Sequence, residues 1–154
     1  MGQTFAKDIS DIRPNLRVNM QFKKNENLRF TYRKNTQFTD VNNISEGYIF
    51  NNYNSIFRGN RELEAAIVNS YNLNYRSINQ FTFTNIYSNI SYSKRENSIQ
   101  SRAAIDGINS VRTADNSIFP RETYSARARL DRRFKNIKLN LSANFRYSEF
   151  SNII

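Results

Sequence analysis

The chain has 154 residues, enough for one domain and too few for two well-filled cores. It contains neither cysteine nor histidine, which excludes a disulfide framework, a Cys/His zinc site, a thiol nucleophile and a Ser-His-Asp triad. Lys and Arg outnumber Asp and Glu by 23 to 13, and a formal charge of +10 raises nucleic acid or an anionic surface as partner.

A mean hydropathy of −0.73 accompanies 12 Phe and 9 Tyr. Strands with one wet and one greasy face would reconcile the two. No stretch approaches ~20 apolar residues, so no transmembrane helix is expected. The start, Met1 to Asp8, lacks the apolar core of a signal peptide. An exported chain beginning this way is expected to be part of a larger one.

Residues 1–13 read as a lead-in. Over 15–22 a strict period of two then sets Leu16, Val18, Met20 and Phe22 against Asn15, Arg17, Asn19 and Gln21. After a polar turn from Lys23 to Asn27 the alternation resumes, Leu28, Phe30 and Tyr32 opposing Arg29, Thr31 and Arg33. An Asn-rich stretch, about 34–65, reads as a long irregular loop. A third strand, 66–76, places Ile67, Tyr71, Leu73 and Tyr75 opposite Val68, Ser70, Asn72 and Asn74.

After a turn near Arg76 to Gln80, Phe81 and Phe83 are odd-numbered, whereas Ile86, Ile90 and Tyr92 are even. A phase switch near Thr84 or Asn85 is needed, either a bulge or the end of the turn. A second long loop, about 95–121, carries the turn signal Asp106-Gly107 and Pro120. The fifth strand, 123–134, sets Tyr124, Ala126, Ala128, Leu130 and Phe134 against Arg127, Arg129, Asp131 and Arg133. A tight connection, Lys135-Asn136, leads to the clearest alternation in the chain, Ile137 to Tyr147, with Lys138, Asn140, Ser142, Asn144 and Arg146 on its polar phase.

These patterns predict an all-β fold: about six antiparallel strands in three hairpins over residues 14–152, with connections alternating short and long. Strands of about nine to twelve residues match a tilted crossing of a bilayer. Short turns at one end and long loops at the other match an outer-membrane barrel.

Basic residues fall on the polar phase, and Arg17, Arg29, Arg33, Arg127, Arg129 and Arg146 are the lumen-facing candidates. An arginine facing lipid at mid-bilayer costs roughly 2–4 kcal/mol, so this segregation is expected. Arg132 breaks the rule, two residues from a turn, where its long side chain can snorkel. Phe22, Tyr75 and Phe134 approach the short turns, and Tyr32, Tyr92, Tyr124 and Tyr147 the long loops, as two interfacial girdles would require.

With the strands laid out, a resemblance becomes specific. The segment from Asn27 to Thr36, NLRFTYRKNT, resembles the NLRFSYRRST strand of TonB-dependent receptor-like outer-membrane barrels from Bacteroidetes. Phe57 to Leu63 followed by Tyr71 to Arg76 is similar to their GNPNLKPE…YELGYR loop and strand. The tail, Lys135 to Asn140 and Phe145 to Ser148, fits the same barrel. The likeness covers about residues 12–152, with Arg61 and Ala65 standing where that family has prolines.

The resemblance implies a barrel of about 22 strands in the bacterial outer membrane, of which this is a C-terminal segment. It also implies nutrient uptake, a plug domain, TonB if energy-coupled, and a surface lipoprotein among the partners. Six strands alone cannot close a barrel, since the smallest have eight, so the segment is expected to need further strands or copies of itself.

Two other readings stand beside transport: a structural or secretion-related barrel, and a soluble basic β-protein binding nucleic acid. Against the last, aromatic and basic residues alternate onto opposite faces instead of sharing one. No catalytic, cofactor-binding or metal-binding constellation is expected. Glu62, Glu64, Asp106, Asp115 and Glu122 read as loop residues without paired-carboxylate spacing.

Overall fold

In a computed structural model the described residues are 11–45, 47–106 and 109–150. They form ten strands: β1 (Asn15–Lys23), β2 (Glu26–Gln37), β3 (Tyr48–Asn52), β4 (Ser55–Arg58), β5 (Ala66–Asn79), β6 (Thr84–Glu96), β7 (Ile99–Asp106), β8 (Asn109–Asn116), β9 (Arg121–Arg133) and β10 (Lys138–Glu149). A single helical turn, α1 (Val41–Ile44), is capped by Asp40, whose carboxylate accepts from Asn42 N–H at 2.9 Å. None of the described helices is long and apolar enough to cross a membrane.

The six strands expected from alternation are β1, β2, β5, β6, β9 and β10, and they pair in that order into one antiparallel sheet. They are longer than the pattern indicated. β5 continues past Arg76 to Asn79, and Phe81 and Phe83 fall in the connection to β6. Of the two explanations for the phase switch, the end of the turn holds, with Phe83 at φ 47° closing it. Ile137 lies in the last tight connection, its carbonyl accepting from Phe134 N–H at 2.7 Å, and both flank the paired residues Arg133 and Lys138.

Apart from a shift between Gln21 and Lys23 at the end of β1, pairing carries the alternation from strand to strand in register. Leu16 faces Tyr32, which faces Tyr71, then Tyr92, Tyr124 and Tyr147. The five tyrosine rings follow at centroid spacings of 4.9, 5.8, 4.8 and 6.2 Å. Such contacts are worth about 0.5–1.5 kcal/mol each beyond area burial. Below this row come Val18, Phe30, Leu73, Ile90, Ala126 and Phe145, and above it the same face turns charged, with Lys34, Lys94, Glu122 and Glu149 in register. From Tyr124 to Arg132 the band runs about 27 Å along the strand, which a tilt of 35–45° converts to a height of about 19–22 Å, most of the roughly 25 Å apolar belt of an outer-membrane barrel.

The two long connections are not irregular loops. Their strands combine into a second sheet in the order β3-β4-β8-β7, with β4 and β8 parallel although their partners are 55 residues apart in sequence, as in Ser55 facing Ser110. The irregular chain between wall strands therefore shrinks, since β2 reaches Gln37 and β6 reaches Glu96. The turn signal expected at Asp106-Gly107 falls partly outside the described residues, since Gly107 is not among them, while Asp106 itself pairs with Asn109.

Burial concentrates where the two sheets meet. Leu63, Ala66, Ala114, Ser117 and Gly59 are the buried residues among those described, whereas β1 and β10 are exposed throughout. Asn116 clamps this junction, accepting from Glu64 N–H at 2.8 Å and donating to the carbonyls of Glu64 at 3.0 Å and Asn97 at 2.9 Å. Gly59 must be glycine here. A Cβ would run into the carbonyl oxygens of Ser45, Asn43 and Asn42, all backbone atoms that cannot swing aside.

Candidate functional site

The six arginines singled out from the sequence share one face of the large sheet. Arg17 is in register with Thr31, Asn72, Ser91, Ser125 and Arg146, and Arg33 with Ser70. Between them runs a palindromic row: Asn19, Arg29, Asn74, Asn89, Arg127, Asn144. The next row is Gln21, Asn27, Arg76, Tyr87, Arg129, Ser142.

Arg133 and Lys138, read from the sequence on the polar phase, join this face. So do Arg76, Arg95 and Arg121, which the sequence reading did not assign to it, as the pairings of Arg76 with Tyr87, Arg95 with Arg121 and Arg133 with Lys138 require. Arg121 was hidden by a strand start set two residues late, and Arg76 by its place where the strand was read to meet a turn. Tyr87 is the sheet's single aromatic on this face, and its odd number in an even-phase strand is the signal that locates it.

With these eleven basic groups the face holds one acid, Asp131. It therefore accounts for the whole +10 of the chain, because the remaining 12 basic and 12 acidic residues cancel. Charge this segregated cannot follow from solubility alone, which any surface position would serve.

Side chains on the face are tied in a repeated way. Arg29 Nε donates to Asn19 Oδ1 at 2.8 Å, and Arg127 Nε to Asn144 Oδ1 at 2.8 Å. Arg129 Nε reaches Asp131 Oδ2 at 2.9 Å, the one ion pair that these basic groups form among the described residues. Asn89 donates to both Asn72 and Asn74 at 2.8 Å, and the hydroxyls of Ser91 and Ser125 meet at 2.6 Å. The Arg76 guanidinium lies over the Tyr87 ring, 5.7 Å from its centroid.

Asn27, Arg29, Asn74, Arg76, Tyr87, Asn89, Arg127 and Arg129 line a concavity of about 670 Å³. A second hollow of about 780 Å³ opens where this face meets the small sheet, lined by Arg95, Arg121, Ser98 and Phe119 among others. There the Arg121 guanidinium covers the Phe150 ring at 5.2 Å.

Arg132 is on the opposite, apolar face, facing Thr84 and Leu139, as its number predicts. Its guanidinium lies 4.8 Å from the Phe134 ring centroid, so a ring partner accompanies its place beside the turn. Tyr75 sits mid-strand opposite Leu28 and Ser88, not at the short-turn rim, where the aromatics are Phe22, Phe81, Phe83 and Phe134. Tyr71 is the member of the upper row that the sequence reading left out. Of the acids read as loop residues, Asp106, Asp115 and Glu122 lie in strands. Among the described residues no three acids group as a metal site would need.

Residues 1–153 match the model of an outer membrane protein beta-barrel family. The chain belongs to that family. Its place is therefore the bacterial outer membrane, and the six-stranded sheet is barrel wall, its strands crossing with one greasy and one wet face. The sheet is not closed, β1 and β10 being its two edges. Comparison with curated proteins and with solved structures gave no match.

Proposed function

We propose that this barrel segment is part of a transporter resembling the TonB-dependent receptors, and that its cationic face lines the lumen through which a nutrient crosses the outer membrane. The observation that carries the reading is the collection of the chain's entire net charge on one concave, hydrogen-bonded face. A wall needs only polar residues inside. A surplus of ten positive charges there is a property that acts on solutes.

In this reading the apolar face contacts outer-membrane lipid, further strands and a plug complete the barrel, and TonB supplies energy where the parent is coupled. A surface lipoprotein has the small sheet within reach. The protein is not an enzyme, and nucleic acid is not its partner, since aromatics and arginines stand on opposite faces of the wall except at Tyr87 and Arg132. A structural or secretion-related barrel is the second reading, favoured by the ordered small sheet at one rim.

Deletion of the gene separates these. Loss of growth on one limiting nutrient, reproduced by loss of TonB, supports transport. Intact uptake with altered surface protein export supports the second reading, and recovery in the soluble fraction as a salt-sensitive nucleic-acid binder overturns both.

A further inference from the structure

The concavity between Arg29, Arg76, Arg127 and Arg129 differs from a merely basic surface in how its guanidiniums are held. In three of the four, a neighbouring amide or carboxylate takes the Nε–H: Asn19 for Arg29, Asn144 for Arg127 and Asp131 for Arg129. Each guanidinium has five N–H donors in a planar fork, so this single anchor fixes its plane and leaves four donors for something else. The fourth, Arg76, is fixed by its contact with Tyr87 instead.

Spacing follows from the sheet. Arg127 and Arg129 are two residues apart on one strand, about 7 Å. Arg76 and Arg129 are two strands apart, about 10 Å, and Arg29 and Arg127 three strands apart, about 14 Å. One small anion cannot span these. Between the arginines stand Asn27, whose amide offers donors and an acceptor, and the exposed ring of Tyr87. Beside them Asn74 keeps one N–H beyond its bond to Asn72, and Asn89, whose donors are spent on Asn72 and Asn74, has an oxygen that can still accept. That mixture suits hydroxyl groups and a sugar face, and a volume near 670 Å³ suits a ligand of a few rings.

We infer that this concavity binds an acidic oligosaccharide, its carboxylate or sulfate groups on Arg29, Arg76, Arg127 and Arg129 and its hydroxyls on the asparagine amides. The inference rests on the face being the lumen, as proposed above, and names the class of solute it passes.

The test uses the protein purified in detergent from outer membranes, with trigalacturonate and neutral maltotriose titrated by calorimetry. Trigalacturonate is expected to bind with an affinity that falls as salt rises, and maltotriose not to bind at the same concentrations. The double variant Arg127→Gln/Arg129→Gln weakens trigalacturonate at least tenfold, and Arg→Lys at both positions recovers only part, because lysine lacks the planar fork. Equal binding of the two sugars overturns the inference, as does sodium sulfate competing on equal terms, which would leave charge alone.

Unchanged affinity in the double variant with a lowered melting temperature also overturns it, assigning the arginines to carboxylates elsewhere in the barrel. Failure to recover the protein from the membrane overturns the lumen reading itself. A recovered barrel that ignores trigalacturonate overturns only this step.

Discussion

The two sheets of this molecule are built from similar residues under opposite constraints. In the six-stranded wall each strand has one face for lipid and one for water, so every second position is dictated and register is fixed by which residues match across strands. In the four-stranded rim sheet both faces meet water. Tyr48, Phe50 and Ile105 on it are 62%, 75% and 80% exposed, and neither face is closed by a core. Alternation there has nothing to enforce it, and order comes from the junction, where Gly59, Asn60 and Asn116 fix the chain by backbone and amide contacts.

The comparison breaks most sharply under a charge. Leu73→Arg, in the row Phe30, Leu73, Ile90, is expected to destabilise the folded wall by about 2–4 kcal/mol, read by urea unfolding in vesicles. Ile105→Arg in the rim sheet is expected to change the same measurement by less than about 0.5 kcal/mol. Equal losses would mean that the two sheets do not differ in what surrounds them.

Gly59→Ala attacks the junction by crowding three carbonyl oxygens, at about 1–3 kcal/mol. The rim sheet then becomes sensitive to limited proteolysis while the heat-modifiable mobility of the wall on gels stays unchanged. Asn116→Ala removes three hydrogen bonds on a partly exposed group, with a loss of about 1 kcal/mol expected as faster amide exchange at Glu64.

The smallest effect is that of pH. Hydrogen bonds from Arg13 and Thr36 hold the Asp11 carboxyl below its ordinary range, and Thr36 Oγ1 lies 2.7 Å from Asp11 Oδ1. The depressed value means that this tether stabilises at neutral pH and is lost as pH falls through about 4 and below. Asp11→Asn should abolish the pH dependence of amide protection near Thr36.

How much was legible follows from the same contrast. Lys138 to Tyr147 could be read directly because each second side chain must face lipid. Where a strand runs past the bilayer the pressure lapses, which is why Arg121 and the extensions to Gln37 and Glu96 were missed. In β7, Ile99, Ala103 and Ile105 do alternate with Gln100 and Arg102, but Ser101 and Ala104 break the pattern on both faces, so the period of two is short and interrupted. The pairing of β4 with β8 brings together residues from different connections, which no local pattern encodes. The arginine face was legible in phase but not in extent, since its hollow depends on which residues stand side by side across strands.

The parallel pairing of β4 with β8 makes the two rim connections a single mechanical object. Cutting the chain at Tyr53-Asn54 would sever one connection and yet release neither half, because β4 remains hydrogen-bonded to β8 and β3 to β4. A nicked protein should still run as one species until it is boiled, and anything pulling on one connection drags the other along with it.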